Sequence, residues 1–246
     1  MARGQFGVSC EVVRHLPSER DRVVLLAGVG ADYVLKVSNS AELQVNNRFE
    51  NEAINWAHKA DPELPLAVPL PTVFGDLHGH VDGHFVRMFP RVHGEASIPG
   101  ATLDISSIKA YGEVVARFSK SPRGFFHAGA TRRLLWHTDS LPQVRPLTRH
   151  LADPAAQALA ERCFERSEQN VVPHSRLLRA QVVHCDLTLD NVLLSEGQVS
   201  DIIDYRDLAH STLLADVATA LCSVGDLRRG PTCSARGVFS WMVTTE

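Results

Sequence analysis

The chain has 246 residues, of which 44% are hydrophobic and 22% charged, with a formal net charge of −3. That length buries a sizeable core in one large domain or two small lobes, and the composition excludes disordered, collagen-like and membrane-embedded classes. There is no broad basic field for nucleic acid, no apolar run long enough for a bilayer or a secretion signal, and the five cysteines, without a C-x-x-C pair, read as reduced thiols of a cytoplasmic protein.

In chain order, residues 6–16 (FGVSCEVVRHL) are predicted as a first strand, followed by a polar turn over 17–21. Residues 22–27 (RVVLLA) predict a second strand and 33–37 a third, with Gly28 and Gly30 in the turn between them. Short β-branched runs joined by Gly, Asp and Ser turns describe an antiparallel meander. A helical pattern covers about 41–60, with Leu43, Phe49, Ile54 and Ala57 on its apolar side, and stops at Asp61-Pro62. A proline-rich connection leads to Thr72-Val73-Phe74, residues 75–83 read as a polar turn, and 84–89 as the fifth strand. Beyond Pro90, residues 104–120, 131–150 and 153–170 read as helices, the second interrupted by Pro142 and Pro146. A sheet-rich front and a helix-rich back predict two lobes, 1–90 and 91–246.

The chemistry is concentrated in residues 181–207, QVVHCDLTLDNVLLSEGQVSDIIDYRD. His184-x-Asp186 is followed five residues later by Asn191, and Asp204 lies 13 residues further on. Between them, 192–194 and 199–203 read as the two arms of a hairpin turning at Glu196-Gly197-Gln198. Such a hairpin brings Asn191 and Asp204 together at its open end, with Asp186 close by. Phosphoryl transfer needs a carboxylate to orient the attacking hydroxyl and oxygen ligands to hold magnesium on the nucleotide phosphates. Asp186 suits the first role, Asn191 and Asp204 the second, in the H-x-D-x-x-x-x-N order of a kinase catalytic loop. A kinase also needs a third-strand lysine, and Lys36 occupies that strand. Of the helix glutamates that could orient it, Glu50 shares the side of Ile54 and Ala57 and is preferred over Glu52.

Residues His184-Cys185-Asp186 through Asp204-Tyr205-Arg206-Asp207 resemble the aminoglycoside phosphotransferase superfamily, whose usual reading is H-G-D…N…I-D-F/W-x-D. The chain is most similar to the hydroxylysine kinase-like branch, which also occurs fused to class III aminotransferases. Leu16 to Asp21, Tyr33 to Asn39, Phe85 to Met88, Gln181 to His184, and the stretches at Leu134-Leu135-Trp136 and Arg145-Pro146-Leu147 carry the similarity. The resemblance implies an α+β, protein-kinase-like fold: a five-stranded antiparallel sheet with one helix, then a mainly helical lobe. It implies ATP or GTP with Mg2+ in the cleft, the base against a hinge that includes Met88 and Pro90, and Ser18 in a turn over the phosphates. It implies a small hydroxylated, amine-bearing acceptor, and Asp216 as a brace for the catalytic loop. His184 is expected to support that loop, and Asp207 to support it, to neighbour the substrate or metal, or to cap a helix over 211–222.

Several departures accompany the resemblance. Cys185 stands where the family has glycine, Val23-Val24 where the branch often has Asn-Phe, and no G-x-G-x-x-G loop is present. The run from Arg228 to Gly237 has no helical period, so the helical lobe is expected to be truncated or altered at its end, with apolar surface exposed. A truncated, non-catalytic nucleotide-binding fragment is therefore an alternative. A second is a metallophosphoesterase, from Gly75-Asp76-Leu77-His78-Gly79 with His80, Asp82 and His84 nearby, although its later motifs are absent. Trp56, Trp136, Cys163 and Cys222 are expected in the core.

Overall fold

The computed structural model describes residues 2–18, 20–96, 103–137 and 140–229. A short helix α1 (Ala2–Phe6) precedes the strands β1 (Cys10–Leu16), β2 (Arg22–Gly28) and β3 (Asp32–Val37). Helix α2 (Gln44–Ala60) follows, then β4 (Gly79–Val81) and β5 (His84–Pro90). These strands form one antiparallel sheet in the order β1-β2-β3-β5-β4.

Side-chain alternation gives the sheet two apolar faces. Val23, Leu25, Val34 and Phe89 point toward the main core shared with the helical part. Val24, Leu26, Leu35, Val86 and Met88 point the other way, onto Phe6 of α1. Helix α2 buries Phe49, Glu50, Ala53, Ile54 and Ala57, the i, i+4, i+8 rows of one face. It ends at Asp61, extended because Pro62 follows, and the Asp61 carboxylate takes both Nε and an Nη of Arg117 at 2.9 and 2.7 Å.

Next come β6 (Glu95–Ala96), α3 (Ile105–Phe118), α4 (Leu141–Val144), α5 (Pro154–Asn170), β7 (Ala180–Val183), β8 (Val192–Ser195), β9 (Gln198–Ile202), β10 (Ala209–Thr212) and α6 (Leu213–Arg229). Asp104 caps α3 by accepting from the Ser107 N–H at 2.7 Å. The hairpin β8–β9 turns on Glu196 (φ 52°) and Gly197 (φ 76°), the paired left-handed residues that match strand twist. Strand β6 extends that hairpin, while β7 and β10 pair as a separate ribbon. Among the described residues no helix is long and apolar enough to cross a membrane.

The structure corrects several sequence expectations. The first predicted strand begins late: Phe6 closes α1, and β1 starts only at Cys10. The fourth strand is β4, inside the segment read as a polar turn, because its edge pairing with β5 satisfies a backbone that polar side chains had marked as loop. Among the described residues, 131–150 contain only α4 and short 3-10 turns, since Pro142 and Pro146 break continuity. The predicted 211–222 helix begins at Leu213 and runs to Arg229, its first two residues belonging to β10. Trp56 and Trp136 are 43% and 54% exposed, and Cys163 and Cys222 are exposed, because a helical period does not say which face is covered. No residue of α5 is buried. Residues 230–246, where the truncated end was expected, lie outside the described part.

Candidate active site

The loop between β7 and β8 holds the candidate catalytic group, and its shape is fixed from several directions. The Asp216 carboxylate, at the start of α6 and fully buried, accepts the N–H of His184 at 3.0 Å and of Cys185 at 2.8 Å. Ser223 Oγ accepts from Leu189 N–H at 2.9 Å, and the Tyr111 hydroxyl donates to the Leu187 carbonyl. Leu187 and Leu189 anchor the loop in the core. His184 is wholly buried between the rings of Phe118 and Tyr205, and that burial holds its imidazole down to about 4 despite the nearby charge of Asp204. Cys185 adopts the left-handed conformation, φ 66°, that the glycine of the motif would take freely.

Asp186 projects from this loop. Asn191 donates its side-chain amide to the Asp186 carboxylate at 2.7 Å and to the Asp186 carbonyl at 2.9 Å. Burial is the main cause that raises the Asp186 carboxyl to about 7; the charges of Asp207 and Asp204 add to it, and the Asn191 hydrogen bond opposes it. The two strands close as the spacing predicts, with Ile203 N–H bonded to the Asn191 carbonyl at 2.9 Å. Asp204 follows in left-handed backbone, φ 57°, and begins the tight turn 205–207.

Across the cleft stands Lys36, its Nζ 3.9 Å from Asp204 Oδ1. The alternation of β3 puts it on the same face as Val34. The expected Lys36–Glu50 pair is not formed. Arg87, directly opposite Lys36 in the β3–β5 register, reaches Glu50 Oε2 at 2.7 Å. Arg132 takes Glu50 Oε1 at 3.1 Å and donates Nε to the Leu208 carbonyl at 2.8 Å. Both glutamate oxygens are thereby engaged by guanidinium groups, whose planar forks suit a carboxylate better than an ammonium does. Glu52, on the outer side of α2, faces His127 instead.

A pocket beside Lys36 and Asp204 is lined by Leu16, Leu25, Val34, Ala67, Phe89, Pro90, Val92 and Ile203, with Arg14, Arg91 and Tyr205 at its polar margins. Pro90, one of the two expected hinge residues, lines this pocket. Met88 does not: its side chain packs on the far face of the sheet, and its carbonyl accepts the Leu70 N–H at 2.7 Å. Phe89, one residue on, lines the pocket instead, since successive strand residues alternate faces. The Ser18 hydroxyl accepts the Asp21 N–H at 3.2 Å, so it shapes its own turn. Asp207 caps no helix, because β10 follows it; its carboxylate accepts Trp136 Nε1–H, and burial raises it to about 6.

Sequence reasoning missed Arg206, Arg132, Arg87 and Trp136 as residues around the site. Arg206 was legible only as part of the D-Y-R-D motif. Its guanidinium lies 3.1 Å from Asp21 and 3.2 Å from Glu42. The metallophosphoesterase residues do not assemble: His78 stacks on Phe85, and among the described residues no three His, Cys, Asp or Glu side chains converge to hold a metal.

A five-stranded antiparallel sheet facing a helical region, with this cleft between them, defines the protein-kinase-like fold. The chain belongs to the phosphotransferase enzyme family (APH), whose sequence model matches residues 12–240. It is 24% identical over 237 residues to a hydroxylysine kinase from Danio rerio, covering 88% of this chain and 66% of that protein, so it spans just under two thirds of its length. Two solved structures share the fold. A microcompartment-associated aminopropanol kinase matches with a TM-score of 0.66 and 18% identity, over 95% of this chain and 80% of that one. An amicoumacin kinase in complex with AMP-PNP, Ca2+ and amicoumacin matches with a TM-score of 0.65 and 15% identity, over 91% and 67%.

Proposed function

We propose that this chain transfers the γ-phosphate of ATP or GTP to a hydroxyl of a small, amine-bearing molecule, with Asp186 as the base. The observation that carries the reading is the convergence of Asp186, Asn191, Asp204 and Lys36 on one cleft. The acceptor hydroxyl donates to Asp186, whose carboxyl, raised to about 7, is well matched to taking a proton near neutrality. Asn191 holds that carboxylate through its amide nitrogen, which leaves its amide oxygen to a cation. Asp204 supplies carboxylate oxygens on the other side, and this hard oxygen set fits magnesium. When bound, the ion neutralises charge on the phosphate oxygens during transfer. Lys36 exchanges Asp204 for the phosphates, and the apolar pocket at Phe89, Val92 and Ile203 takes the base.

Turnover of ATP and GTP with magnesium against a panel of hydroxylated amines, including hydroxylysine and aminopropanol, tests this directly. Asp186→Ala is expected to lower transfer by about 10²- to 10⁴-fold while sparing most nucleotide affinity. Full transfer by that variant would refute the assignment of the base.

A further inference from the structure

The turn after Asp204 does more than follow it. Arg206 extends away from Asp186 toward the sheet, where its two Nη atoms meet Asp21 at 3.1 Å and Glu42 at 3.2 Å. Asp21 ends the β1–β2 turn and Glu42 stands just ahead of α2. Asp21 is only 6% exposed at its side chain and Glu42 16%, so water screens these ion pairs less than it does surface pairs. Asp21 also accepts the Asn39 N–H at 3.2 Å, and Glu42 accepts the Asn46 amide at 2.7 Å, so both carboxylates are held independently for the arginine. A second tie runs in parallel: Arg20 lies 5.7 Å from the Trp136 ring centroid, and Trp136 donates to Asp207. Both ties therefore start from adjacent residues of the 205–207 turn and end on adjacent residues of the β1–β2 turn.

We propose that Arg206 is a positioning residue that couples the β1–β2 turn to the candidate metal aspartate, so that magnesium and nucleotide bind as one coupled event. This rests on the kinase reading above. On that reading Asp204 and the β1–β2 turn would bracket the nucleotide phosphates. A rigid connection between them converts each contact made by one into better placement of the other. A purely structural tie would add stability without linking the two ligands.

The test measures AMP-PNP affinity by calorimetry with magnesium and with EDTA, on the full chain. The readout is the ratio of the two affinities, which unfolding alone does not move. In Arg206→Gln and in Asp21→Asn the magnesium enhancement is expected to fall about fivefold or more, the scale of a real coupling between sites. The double variant is expected to lose no more than either single one. Arg206→Lys is expected to recover part of the ratio, since one ammonium cannot serve both carboxylates as a fork does. Arg145→Gln, which breaks a comparable bridge to Glu161 and Glu168 away from the cleft, serves as the control and is expected to leave the ratio unchanged. An unchanged ratio in Arg206→Gln, with wild type binding normally, overturns the proposal alone. A wild type showing neither magnesium-enhanced binding nor transfer overturns the kinase reading and this proposal with it.

Discussion

Asp186 is held by a loop whose neighbours are under tension of two kinds. Cys185 sits at φ 66°, where a Cβ crowds the backbone at a cost of about 1–2 kcal/mol. Cys185→Gly is therefore expected to raise stability by about 1 kcal/mol, less the added freedom of the unfolded chain, read as a higher midpoint in urea. The second tension is electrostatic. His184 is buried neutral, its imidazole lowered to about 4 from an ordinary 6.5. Its folded-state value is depressed, so the unfolded chain binds the extra proton in that interval. The stability this group contributes is complete above pH 6.5 and is lost as pH falls toward 4, by about 3 kcal/mol at most. Asp216, raised to about 6 by burial, acts in the opposite sense: it favours the fold at low pH and loses that contribution as pH rises from about 4 to 6. Removing the histidine separates the two. His184→Gln is expected to lose the acid-side decline specifically, seen as a flatter melting temperature between pH 6.5 and 4 relative to wild type.

At the scale of elements, the junction of α2, β3 and β5 decides which cation keeps Glu50. The glutamate is 5% exposed and paired on both oxygens by Arg87 and Arg132. Removing it leaves two buried guanidinium groups without their anion, so Glu50→Ala is expected to cost about 3–5 kcal/mol. Lys36 is only loosely engaged at 3.9 Å, so Lys36→Ala is expected to change stability by less than about 1 kcal/mol while weakening nucleotide binding. Chemical denaturation and nucleotide titration of both variants check the contrast. This junction also marks where the sequence stopped being legible. The period of α2 correctly put Glu50 on the buried side, and the alternation of β3 is enough to give Lys36 the cleft face. That Arg87 would lie opposite Lys36 depended on the register of two strands far apart in sequence. Tertiary packing sets that register, and neither strand encodes it alone. The same limit applies to Trp136 and Cys222, whose helical or apolar context reads identically for a covered and an uncovered face.

For the whole molecule, the cleft lies where two halves of the chain meet along a shared core, and a ligand held by groups of both halves stabilises them jointly. Magnesium with ATP at 100 times its dissociation constant is expected to add about 2.7 kcal/mol to unfolding, and Asp204→Ala to remove the magnesium-dependent share. A thermal melt with and without metal measures both. The loop around Asp186, the closing hairpin and four of the five sheet strands were readable from spacing, because local turns and alternation generate them, whereas the short edge strand β4 was not. The ties between distant segments, Arg206 to Asp21 and Arg132 to Glu50, were not, since nothing local requires them. One such distant tie has a temporal side. The backbone of His184 and Cys185 is fastened by Asp216, some thirty residues later in the chain. During synthesis from the N-terminus, the sheet and the loop leave the ribosome before their fastener does. A nascent chain released before α6 would carry every residue of the Asp186 motif without the carboxylate that fastens the backbone ahead of it.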